Sequence, residues 1–130
     1  MDNRRPSRNA VNARSVRGLT AIVRRAHGWT CDVREVALDD QSGKLHIPLF
    51  ARAHRSSTDR IAAGELVVNR VEEFVVEGAA RRRWFELDGL AYEPTTRRVS
   101  IRSDGRSQFA LTVEELDVTL RIRPQTRLHS

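Results

Sequence analysis

A chain of 130 residues carries a net charge of +6, a single cysteine and seven aromatic side chains. That length suits one domain that buries roughly two thirds of the surface its unfolded chain would expose, so a core needs no metal or disulfide to hold it. Cys31 has no partner for an internal disulfide, which fits a reducing compartment. No apolar run approaches the ~18 residues of a membrane span and no apolar stretch marks a signal peptide, so the expectation is a cytoplasmic chain that makes no contact with membranes.

The charge is unevenly placed. Residues 1–25 hold seven arginines against Asp2, and residues 121–130 hold three arginines and no acid, which leaves the stretch between them slightly acidic. The high pI therefore belongs to the ends. A nucleic-acid-binding domain usually shows its basic face on the folded body, although basic arms alone bind phosphate backbones.

In chain order, residues 1–13 are polar, basic and short of large apolar side chains, so they read as a disordered tail that cannot offset the entropy of ordering. Val16, Leu19, Ile22, Val23 and Ala26 recur at helical spacing with Arg17, Arg24 and Arg25 outside the stripe, which predicts one helix over 15–27. Ser15 is its N-cap, and Gly28 its left-handed end, with Trp29 folding back on Val23 in a Schellman cap. After Trp29 the pattern is all strand. CDVREVALD and KLHIPLFAR form a hairpin around DDQSG, with Pro48 favouring an edge. Residues 53–64 read as a loop, then come ELVVNRVEEFVVE, RRWFELDGLAYE, the turn EPTTR, RVSIR, a hairpin through Asp104-Gly105, FALTV and LDVTLRI. One-residue slips in the alternation, between Val33 and Val36 and between Val113 and Leu116, mark bulges or corners. The predicted fold is mainly β: an antiparallel β-sandwich or partly open barrel of about seven strands with one N-terminal α-helix, residues 14–123 forming a single domain and 124–130 a flexible basic tail.

The most pointed candidate site is RRRWF. On a strand over 81–88, Phe85 and Leu87 alternate into the core while Arg82 and Trp84 face outward, so Arg81, Arg82, Arg83 and Trp84 are the candidate binding surface, joined by Arg4, Arg5 and Arg8 of the N-terminal arm. Arg82 with Trp84 matches the stacking-plus-phosphate pairing of single-strand binders, but Glu86 and Asp88 share that face and would repel phosphates. The balance favours an ordinary strand. Arg14 on the first arm and Arg121, Arg123 and Arg127 on the second add electrostatic attraction.

No catalytic, cofactor or metal site emerges. His27, His46, His54 and His129 are dispersed without ligand spacing. Cys31 sits in register with Val33 as a small core hydrophobe. The acidic pairs Asp39-Asp40, Glu72-Glu73 and Glu114-Glu115 with Asp117 alternate across strands and do not converge, and DDQSG lacks calcium-loop spacing. Ser56, Ser57 and Thr58 beside His54 and Asp59 form a polar loop, because triads are seldom built from one local cluster. There is no phosphate-binding glycine loop and no GxSxG. The reading leans away from an enzyme, with no cofactor, toward a small β-rich module that binds another macromolecule. A protein partner or self-association, such as a homodimer through an edge strand, ranks above nucleic acid. The alternatives are a nucleic-acid-binding protein that uses the arms and the Arg/Trp strand, and a small-ligand-binding or enzymatic β-barrel.

Overall fold

The computed structural model describes residues 9–52, 59–78, 84–103 and 107–124. Among them, β1 (Ala10–Ala13) precedes the helix α1 (Val16–Ala26), and ten further strands follow: β2 (Thr30–Asp32), β3 (Ala37–Asp39), β4 (Lys44–Arg52), β5 (Arg60–Val68), β6 (Val71–Glu77), β7 (Trp84–Glu86), β8 (Gly89–Glu93), β9 (Arg98–Arg102), β10 (Gln108–Val113) and β11 (Val118–Ile122). Every pairing is antiparallel. One sheet runs β1-β11-β5-β4-β2-β7 with β3 also on β4, and the other runs β6-β10-β9-β8. The fold is thus mainly β with one helix near the N-terminus, a sandwich or partly open barrel. Among the described residues eleven strands stand where about seven were expected, because three apolar runs in the sequence split into two short strands each and residues 10–13 add another.

The two sheets share one core. Leu45, Ile47, Leu66, Val68, Val118 and Leu120 of the larger sheet meet Val99, Ile101, Phe109 and Leu111 of the smaller. Phe109 is fully buried at the centre, its ring stacked on Phe85 at 4.3 Å and tilted toward Phe74 at 5.6 Å. Helix α1 buries Leu19, Ile22 and Ala26 and packs on β1 and β8, which are edge strands of the two sheets, so it closes the opening between them.

The helix starts at its expected cap, where Ser15 Oγ accepts from Gly18 N at 3.3 Å. Its other end departs from the expected Schellman cap. Ala26 O accepts from Trp29 N at 3.0 Å, with His27 at φ −58°, ψ 130° and Gly28 at φ 86°, which is a type II turn. Glycine suits that second central position because only there must φ be positive. The geometry turns the chain so that Gly28 N donates to Leu87 O and Trp29 O accepts from Leu87 N, stitching the helix end to the segment after β7.

Both predicted slips have a physical form. The first is a 3-10 turn over Val33–Glu35, N-capped by the Asp32 carboxylate, which lets β2 and β3 lie on the same strand β4. The second is the crossing from β10 in the smaller sheet to β11 in the larger. Pro48 is not on an edge strand: β4 is interior, but Pro48 falls between its pairing with β3 (at 44–46) and with β2 (at 50), where the 3-10 turn stands instead of a strand. The missing donor is tolerated there.

Two other expectations are corrected. Residues 10–13, read as tail, form β1 on β11. Val11 and Ala13 pack against the core, and Asn12 Nδ2 donates to Asp117 Oδ1 and Thr119 Oγ1, both at 2.8 Å. Residues 60–64, read as loop, begin β5 and extend the β4 hairpin to Arg52↔Arg60. The small side chains of Ala62, Ala63 and Gly64 hid the alternation.

Candidate functional site

In β4, Leu45, Ile47 and Leu49 point into the core, so His46, Pro48, Phe50 and Arg52 line the outward face of the larger sheet. Register carries this face across its neighbours. Pro48 pairs with Glu65 and Glu65 with Arg121; Phe50 pairs with Ala62, and Arg52 with Arg60. On the far side Thr30 faces Glu86 and Asp32 faces Trp84.

Two features stand together on this face. The first is a stack: the Arg60 guanidinium lies over the Trp84 ring at 4.0 Å, and Phe50 meets Trp84 edge-on with centroids 6.0 Å apart. A cation over a tryptophan face is worth about 0.5–2 kcal/mol and holds both side chains in place. The second is a pocket of about 480 Å³ lined by Pro48, Phe50, Ala62, Glu65, Arg121 and Arg123 of the outward rows, with Leu49, Gly64 and Ile122 below. A bulge produces it. Between Leu49↔Gly64 and Phe50↔Ala62 the register shifts, leaving Ala63 as the extra residue, and Ala63 O accepts from Arg123 N at 2.8 Å. The bend and the small residues on β5 leave a depression where side chains would otherwise cover the sheet.

Of the candidate residues, Trp84 lies on this face as expected, half-buried, with Phe85 and Leu87 in the core. Arg81, Arg82, Arg83, Arg4, Arg5 and Arg8 lie outside the described residues, as do Arg127, His54 and His129. Sequence reasoning missed Arg60 and Phe50 as partners of Trp84, and it counted Arg121 with the C-terminal arm although the LDVTLRI strand it also read, β11 here, already contains that residue.

Several other polar groups are tied to one another. His27 Nε2 lies 2.9 Å from Asp88 and His46 Nδ1 lies 3.1 Å from Glu65. Asp117 accepts from Asn12 and lies 3.8 Å from Arg14; Glu72 pairs with Arg97, Glu115 with Arg70 and Glu77 with Arg98. Glu77 also accepts from Gln108 at 2.6 Å, and these bonds, that from Gln108 first, hold its pKa below the ordinary carboxylate value. Asp39 is held low in the same way by Ser42 and by backbone N–H groups of the DDQSG turn. Among the described residues no group of three His, Cys, Asp or Glu side chains is placed to hold a metal, and no helix is long and apolar enough to cross a membrane.

Cys31 faces the core beside Phe85, and burial, then the Asp32 and Glu35 carboxylates, push its thiol up to about 12. The reactive species is the thiolate, so the folded protein is expected to leave Cys31 unlabelled by a thiol reagent at pH 8 and to label it fully in denaturant. The linkage has a defined sign. The neutral thiol stabilises the fold fully below its ordinary value near 9, and that contribution is lost as pH rises from there toward 12. Rapid labelling of the native chain would show that the β2 region opens.

No known protein family matches this chain, and neither the curated proteins nor the solved structures compared with it give a match.

Proposed function

We propose that the chain is a non-enzymatic β-rich module that binds another macromolecule, a protein rather than nucleic acid, through the outward face of its larger sheet. One observation carries the reading: Arg60, Trp84, Phe50 and the pocket gather on that face, while a continuous apolar cluster fills the space between the sheets. Aromatic and arginine side chains over a shaped depression are the composition of binding hot spots. A protein partner is favoured over nucleic acid on charge. The described residues hold 14 basic against 15 acidic side chains, so no basic excess lies among them. The Trp84 ring, which a nucleobase would need, already carries Arg60. Pairing of two copies through the edge strand β6 draws less support, since it bears Glu72, Glu73 and Glu77 around the exposed Val75.

A photo-reactive benzoylphenylalanine placed at Arg52 on this face, and separately at Val75 on the opposite sheet, tests the reading in cells. Discrete adducts from position 52, identified by mass, are expected. Adducts from position 75 alone, or from neither, would overturn it.

A further inference from the structure

The bulge pocket carries a statement about partner chemistry that rests on the proposed binding face. Its walls are apolar, with Pro48, Phe50, Ala62 and Ile122 beside the backbone at Gly64. The same lining holds two cations. Arg121 and Arg123 are exposed, and among the described residues neither makes an ion pair or side-chain hydrogen bond. The one acid in the pocket, Glu65, is engaged by His46 at 3.1 Å. We infer that this pocket seats an acidic–apolar peptide segment of a partner protein, its apolar side chain between Pro48 and Phe50 and its neighbouring carboxylate against Arg121 and Arg123.

The physical case is one of complementarity. Two guanidiniums left without partners beside an apolar surface are solvated in the free protein, and a carboxylate reaching them makes charge-assisted hydrogen bonds, bidentate where the guanidinium fork permits. A volume of about 480 Å³ holds a few side chains and lies within the range of ligand pockets. A phosphate backbone fits less well. It offers no apolar group to the space between Pro48 and Phe50. A basic peptide would set two more cations against Arg121 and Arg123.

The test uses the full isotope-labelled chain and three probes: the peptide acetyl-Ser-Glu-Leu-Glu-Leu-Ser-amide, its counterpart with lysine for glutamate, and an oligothymidylate. Amide shifts from the acidic peptide are expected to concentrate on residues 48–50, 62–65 and 121–123, with affinity at least about tenfold above that of the lysine peptide at physiological salt. Arg121→Gln with Arg123→Gln, both exposed positions that leave the core untouched, is expected to abolish that preference while the rest of the spectrum is retained. Equal affinity for the two peptides, shifts scattered away from the pocket, no binding at millimolar peptide, or tighter binding of the oligothymidylate at the same residues would each overturn the inference. Adducts at position 52 combined with a failed peptide titration would leave the binding face standing and remove only the assigned chemistry.

Discussion

Phe109→Ala is expected to destabilise the fold by about 4 kcal/mol, which for a chain of this size lowers the midpoint of thermal unfolding by roughly 15 °C. The side chain is fully buried, lies on β10, an interior strand of the smaller sheet, and touches two other rings, Phe85 at 4.3 Å and Phe74 at 5.6 Å. Phe85 belongs to β7 of the larger sheet and Phe109 to β10 of the smaller, so the stacked pair joins the two layers directly. Removing one ring opens a cavity bounded by β-strand backbones that are fixed by their ladders and cannot collapse into it. Phe74→Ala, at a half-buried edge-strand position, serves as the comparison and is expected to cost about half as much. Denaturant or thermal unfolding followed by circular dichroism reads both. A cost below about 2 kcal/mol for Phe109→Ala would mean that the two sheets do not depend on this contact.

The same ring cluster marks the limit of what the sequence reveals. Alternation placed Phe85, Leu87, Phe109 and Leu111 in the core, because period-two patterning depends only on neighbours along the chain. It also located the helix through its cap and stripe, and two corners through phase slips. Which strand lies beside which was not legible. Trp84 could be assigned to an outward face, but its partners come from β4 and from a part of β5 whose Ala-Ala-Gly sequence carries no alternation. Asn12 illustrates a second kind of blindness. One amide donating to Asp117 and Thr119 holds the four-residue β1 in place, and a contact more than a hundred residues away in sequence leaves no local trace. The pocket is hidden for a third reason. It is formed by what is absent, a side chain at Gly64 and the ordinary register of β4 on β5, and small residues in a strand read equally as a loop.

Gly64→Ala is the second large effect expected, at about 3 kcal/mol or more, set against a change within about 0.5 kcal/mol for Gly89→Ala. A Cβ at Gly64 would stand 2.2 Å from Arg121 O, with Arg121 C and Ile122 Cα at 3.3 Å, whereas a Cβ at Gly89 meets nothing within 4 Å. The neighbour at Gly64 is backbone, so no rotamer change relieves the clash. Relief requires β11 to move off β5, yet that strand is held from Val118↔Val68 to Ile122↔Gly64 and, beyond the ladder, by Arg123 N on Ala63 O. Moving it also displaces β1, which pairs only with β11 among the described residues, and with it Arg121, Glu65 and Pro48 in the row that frames the pocket. Stability and the pocket are therefore coupled through one glycine. Gly64→Ala should lose both the unfolding midpoint and the peptide-induced shifts, while Arg121→Gln with Arg123→Gln should lose the shifts alone. A Gly64→Ala protein of unchanged stability would show that the β5–β11 contact is looser than 2.2 Å allows, and that the depression does not depend on the close approach of these two strands.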